Sequence, residues 1–248
     1  MSTSPDAAST TASPMSEAGR LVNVIVDPKP AFADIAARPN WWVPMTIITV
    51  FVLIFMVAFS THVGWESYLR QQYEKSSQAQ SMSPEDREHL LQVQLKYVPA
   101  VGTAMAVIGT PIAYLIEAAV LLFIFNFMFG AALKFRQVLA VSCYASLPHV
   151  VSTLGSLGVM FLKDPSDFDL NNPAPFNIGF FLDPKNTPAW LVSLGGSIDV
   201  FSLWVILLLA TGLAVAAKKR WSTALTAVLI PWALWVVLKV GKAAIFGS

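Results

Sequence analysis

Residues 42–63, WVPMTIITVFVLIFMVAFSTHV, lie inside a stretch from Pro39 to Trp65 that holds no Asp, Glu, Lys or Arg. A helix needs about 20 mostly apolar residues to cross a hydrocarbon core of ~30 Å, so this stretch is long enough for one membrane crossing. Four similar gaps follow, each at least as long as a crossing needs. Tyr97–Leu133 is interrupted only by Glu117, and Gln137–Leu162 holds no charge at all. Asn186–Ala217 is interrupted only by Asp199, and Trp221–Ser248 only by Lys239 and Lys242. The spacing predicts five spans near 42–63, 100–129, 137–161, 190–216 and 221–245. The runs are continuously apolar, not alternating, and about twice the length of a barrel strand, so they read as helices. Lipid offers backbone groups no partner, which favours the same choice.

Composition agrees. Charged residues are 12% and hydrophobic residues 55% of 248, and the mean hydropathy is +0.60. A soluble domain carries about twice that share of charge. The net charge of +1 leaves no basic field for nucleic acid. One cysteine, Cys143, can form no intrachain disulfide and no Cys-rich zinc site. His62, His89 and His149 are scattered, and no GxGxxG, GxxxxGK[ST] or GxSxG pattern occurs. No enzyme, metal or cofactor is expected. The sequence from Met1 to Asn40 holds no apolar run, so no secretory signal is expected either.

The short loops orient the chain. Lys134 and Arg136 follow the second span, and Lys218, Lys219 and Arg220 follow the fourth. The loops of opposite parity are longer and more acidic, with Glu66, Glu74, Glu85, Asp86 and Glu88 in one and Asp164, Asp167, Asp169 and Asp183 in the other. Basic residues in short loops mark the cytoplasmic side, which places the N-terminus in the cytoplasm and the C-terminus outside. Trp41, Trp42, Trp65, Trp190 and Trp221 fall at span ends, where they are expected to anchor in the headgroup layer.

Outside the five-span domain of 42–245, residues 1–18 are rich in Ser, Thr, Ala and Pro and are expected to form a disordered tail. Residues 19–41 read as an interfacial amphipathic segment, with a short helix over 29–37 lying along the membrane surface and ending before Pro39. Ser83-Pro84-Glu85-Asp86 is a helix start in the first outer loop: cap, proline, then acids at the positive dipole end. That helix is expected to run through Leu90, Leu91 and Leu95 towards Pro99. The second outer loop, with five prolines between 165 and 188, is expected to be irregular.

Ionisable groups at membrane depth are costly and read first as functional. Glu117 shares a small, polar helix face with Thr103, Thr110 and Tyr114. His149 lies at a similar depth in the next span, among Ser142, Ser146, Ser152, Thr153 and Ser156. The two are expected to pair, either as a proton or ion relay or as interhelical hydrogen bonding worth ~1 kcal/mol. Asp199 and Lys239 lie at comparable depth in the last two spans and form a second expected pair, with snorkelling of Lys239 to the headgroups as the alternative.

The stretch Val26-Asp27-Pro28-Lys29-Pro30-Ala31-Phe32-Ala33-Asp34-Ile35 leads through Arg38-Pro39-Asn40-Trp41-Trp42-Val43-Pro44 into the first span. Further on stand Phe135-Arg136-Gln137-Val138-Leu139-Ala140, Tyr144-Ala145-Ser146-Leu147-Pro148, Ile198-Asp199-Val200-Phe201-Ser202-Leu203-Trp204 and Gly212-Leu213-Ala214-Val215. In order and spacing over residues 20–245, these resemble bacterial members of the Yip-one domain family, the Rab/Ypt-interacting membrane proteins. Asp199 and Pro148 are the positions that match family motifs. The resemblance implies a five-span bundle with a cytoplasmic N-terminus, set in the bacterial plasma (inner) membrane. It also implies a membrane scaffold or organising role like that of the family's members in membrane traffic. The expected partners are the lipid bilayer and other membrane proteins or further copies of the chain. A small ion, proton or solute transporter using Glu117, His149 and Asp199 is the alternative.

Overall fold

The computed structural model describes residues 14–183 and 186–246. The chain is an all-helical membrane protein. Among the described residues there is no strand, only an isolated backbone bridge between Asn177 and Asp199. Five helical stretches are long and apolar enough to cross a bilayer: Trp42–His62, Pro84–Met128, Phe135–Leu162, Val200–Ala217 and Trp221–Ile245. Residues 1–13 of the expected tail lie outside the described residues. Its last two residues, Glu17 and Ala18, already belong to a helix.

Two short helices precede the first span. Ser16 caps α1 (Glu17–Val26), its hydroxyl accepting from the Gly19 amide at 3.1 Å. Helix α2 (Pro28–Ala37) begins on a proline, whose missing N–H costs nothing in a first turn. The expected surface helix is therefore present, but its apolar side meets protein. Ala31, Phe32 and Ile35 are fully buried against α7 (Phe135–Ala145) and α10 (Val200–Ala217). The Gln137 side chain donates to the Ala36 carbonyl at 2.9 Å, tying the end of α2 to the start of α7. Gly212 makes the approach feasible, because a Cβ there would lie 2.5 Å from Val141 and 2.8 Å from Phe32.

Helix α7 is the centre of the bundle. Every residue from Val138 to Ala145 is buried, enclosed by α2, α10, α3 (Trp42–His62) and α6 (Pro84–Phe123). The third span is not one rod. It breaks at Ser146-Leu147 and resumes as α8 (Pro148–Leu162), since Pro148 has no N–H to carry the hydrogen-bond ladder on and suits the first position of a new helix. The fourth span breaks likewise between α9 (Ala189–Gly195) and α10, at Gly196–Asp199. The last crossing is α11 (Trp221–Phe246).

The second span extends well beyond the expected boundary. The loop helix expected to stop near Pro99 is the first part of α6, which runs unbroken through Pro99 and Pro111 into a π turn, Ile124–Met128. An interior proline costs about 3 kcal/mol. Burying one large apolar side chain returns ~1.5–3 kcal/mol, and Leu91 (on α6) and Trp65 are both buried at its contacts. Trp65 opens α4 (Trp65–Lys75), which packs on α6 and is followed by the single-turn α5 (Ser77–Gln80), and the Trp65 ring lies against Gly102. It is thus a core residue and not a headgroup anchor, whereas Trp41, Trp42, Trp190 and Trp221 are exposed. With Met56, Phe59, Val63, Met160 and Phe168 it forms a second apolar cluster. The loop between α8 and α9 is irregular apart from two short 3-10 turns.

Candidate functional site

Three polar constellations interrupt the apolar interior. The first joins α6 to α7. Glu117 lies one turn after Tyr114 and faces Ser142 and Cys143, and Tyr114 reaches Ser146. Ser142 lies beside the Glu117 carboxyl, but no well-directed hydrogen bond joins them: Glu117 Oε1 and Ser142 Oγ are both buried and unpartnered. No cation lies within 4 Å of Glu117 among the described residues.

The second is a recess of about 190 Å³ between α8 and the start of α10, roofed by residues 173–177. His149, Ser152, Ser156, Asn177, Asp199 and Ser202 supply its polar lining. Asp199 is not a charge stranded within a helix. It is the N-cap of α10, its Oδ1 accepting from the Phe201 amide at 3.0 Å and the Ser202 amide at 2.9 Å. This satisfies two of the four donors that a helix start leaves open. The Val200 amide donates to the Phe176 carbonyl at 3.1 Å, which fixes the roof to the cap.

Neither expected pair forms. Among the described residues no ion pair joins Glu117 to His149 or Asp199 to Lys239. His149 shares its recess with Asp199 instead, and Lys239 on α11 donates to Ser197 Oγ at 3.3 Å. Both corrections have one cause. Straight spans would bring each pair to one depth, whereas the breaks at Ser146-Leu147 and Gly196–Asp199 turn His149 to α10 and make Asp199 a helix end. Among the described residues no three His, Cys, Asp or Glu side chains group to hold a metal ion.

The third constellation was not anticipated. Arg20 on α1 is 3% exposed. Its Nε donates to Asp34 Oδ2 at 2.7 Å and its Nη1 to Glu17 Oε1 at 3.0 Å. Arg38 pairs with Asp34 one turn on, Asn40 donates to Glu17 Oε1 at 2.8 Å, and the Tyr144 hydroxyl of α7 donates to Glu17 Oε2. Burial alone would raise the Glu17 pKa. The hydrogen bonds from Tyr144 and Asn40 and the charges of Arg20 and Arg38 outweigh it, so the carboxyl lies below its usual range. The network clamps the α1–α2 hairpin onto the central helix. Its sequence signal was an acid and a base three apart (Glu17, Arg20) followed by a pair four apart (Asp34, Arg38), but their meeting depends on a hairpin that periodicity does not show.

The chain is 26% identical over 209 residues to "Membrane protein YknW" of Bacillus subtilis (strain 168), covering 83% of each chain. No solved structure matches it. The Yip1 domain pattern matches residues 22–241, from within α1 almost to the end of α11. A match over most of its length, together with a membrane architecture of five apolar helical stretches, makes the chain a member of the Yip1 domain family.

Proposed function

We propose that the protein is a membrane scaffold, an organising component of the bacterial inner membrane that works by presenting surfaces and not by turning over a substrate. One observation supports this most directly: the centre of the bundle is packed. Helix α7 is buried along Val138–Ala145, and the α1–α2 hairpin is clamped across it by the Arg20 network. The recess at His149 is not lined by Glu117, and Ser142 and Ser146 between them are at most 2% exposed. Such packing is what a scaffold needs to hold a shape. Meanwhile α1 turns Val22, Ile25 and Val26 outward, an apolar strip suited to the headgroup layer or to a partner helix. The orientation follows the basic short loops: Lys134 and Lys218–Arg220 lie at the ends of helices against which the hairpin packs, and all belong on the cytoplasmic side.

Reconstitution into liposomes tests the reading. Proton, sodium and potassium fluxes are expected to equal those of empty vesicles at any imposed gradient. A flux above that background, abolished by Glu117→Gln or His149→Gln, would replace the scaffold with the transporter that the same residues suggest.

A further inference from the structure

The recess at the start of α10 has chemistry that the scaffold role does not use. Asp199 spends only Oδ1 on the helix cap, and Oδ2 has no hydrogen-bond partner among the described residues. Ser156 is buried at 4% exposure, lines the recess, and makes no side-chain hydrogen bond there. The hydroxyls of Ser152 and Ser202 and the imidazole of His149 are equally without hydrogen-bond partners among the described residues. These groups face the open recess, where the polar atoms of a ligand can meet them. The lining holds one carboxylate, three hydroxyls, an imidazole and the Asn177 amide, with no lysine or arginine. Phe176 walls one side, its ring lying over Gly155 and edge-on to Phe201 at 5.0 Å.

We propose that this recess binds a primary ammonium group. The unused carboxylate oxygen supplies the countercharge, and neighbouring hydroxyls accept the remaining N–H donors, of which an ammonium has three. An aromatic wall adds attraction for a cation. A divalent metal fits less well, because hard cations take six or more oxygen ligands and usually several carboxylates. An anion has no positive side chain to meet. About 190 Å³ holds an ammonium with a short carbon stem and is far more than a bare ion needs. The source is a free amine or the amine headgroup of a membrane lipid. This inference does not rest on the scaffold reading, and a dry, non-conducting bundle accommodates it equally.

The test uses the full chain in nanodiscs. Ethanolamine is titrated into phosphatidylglycerol discs, and separate discs are made with and without phosphatidylethanolamine; thermal unfolding is read in each. The charge is removed by Asp199→Asn, because Asn caps a helix about as well as Asp and the fold is kept. Ser156→Ala, which touches no cap, is the second variant. The wild type is expected to show a saturable rise in melting temperature, and both variants at least tenfold weaker binding. A rise with free ethanolamine assigns a soluble amine; a rise only in phosphatidylethanolamine discs assigns the lipid. The proposal is overturned if neither form of amine shifts the wild type, if Asp199→Asn responds like the wild type, or if magnesium or phosphate stabilises the protein and amines do not.

Discussion

Gly212 shows how one missing side chain sets the approach of three helices. A methyl group there would fall 2.5 Å from Val141 and 2.8 Å from Phe32, both fully buried. Neither can retreat, so Gly212→Ala is expected to destabilise by about 1–3 kcal/mol, the usual cost of overpacking. Gly158 on α8 has nothing within 4 Å of the same added atom. Gly158→Ala is therefore expected to be neutral or to stabilise by up to ~1 kcal/mol through helix propensity. Melting of both variants in detergent checks the contrast, and equal effects at the two positions would remove the account of Gly212. Asp199 teaches the opposite lesson at the same scale. A lone acid in a long apolar run invites a functional reading, and here its first task is to cap a helix.

The α1–α2 hairpin is the element whose docking depends most on charge. Arg20 has almost no contact with water, and its partners are two carboxylates. Removing one member of a buried ion pair typically costs about 3–5 kcal/mol, so Arg20→Ala is expected to undock the hairpin at neutral pH. Acid is expected to act through Glu17. Its folded pKa is below the usual carboxylate value, so its contribution is complete above about pH 4.3 and is lost as the pH falls through the folded value. Energy transfer between dyes on Ala18→Cys and Lys219→Cys is expected to hold steady from pH 8 to 5, then change below pH 4; Arg20→Ala should show the changed value already at pH 7. A signal indifferent to both treatments would mean that the clamp does not hold the hairpin.

The same scale shows what the sequence made legible. Five apolar stretches, the helix start at Ser83, a short helix over 29–37 (observed as Pro28–Ala37) and the irregular second loop all follow from local composition, and the structure has them. The break at Ser146-Leu147 does not register in a count of charge-free residues, because Ser and Leu are as uncharged as the helices beside them, and the break at Gly196–Asp199 registers only as a lone acid, which reads as a buried charge before it reads as a helix cap. Their signals were Pro148 and the Gly195-Gly196 pair, whose neighbour Gly179 comes so near that a Cβ at Gly195 would lie 2.8 Å from its amide. The continuation of α6 through Pro99 was hidden for a different reason: local propensity says stop, and tertiary contacts with α4 prevail.

For the whole molecule the decisive number is five. Five helical stretches are long and apolar enough to cross; five crossings would put the two termini in different compartments, and the loop charges predict which. Cys143 is fully buried, so single cysteines placed elsewhere report without interference. In intact cells, an impermeant maleimide is expected to label Glu85→Cys but not Lys219→Cys, and to reach both after lysis. The reverse pattern would invert the protein in its membrane; labelling of both in intact cells would mean that the number of crossings is even.

The clamped hairpin also sets an order of events on the ribosome. Phe32 rests against Gly212, and most of the chain lies between them. At ~5–20 residues per second, translation leaves the hairpin without its seat for roughly ten to forty seconds. A segment made early thus waits for a seat made late, and for that interval Phe32 and Ile35, not the Arg20 ion pairs, need lipid or a chaperone as cover.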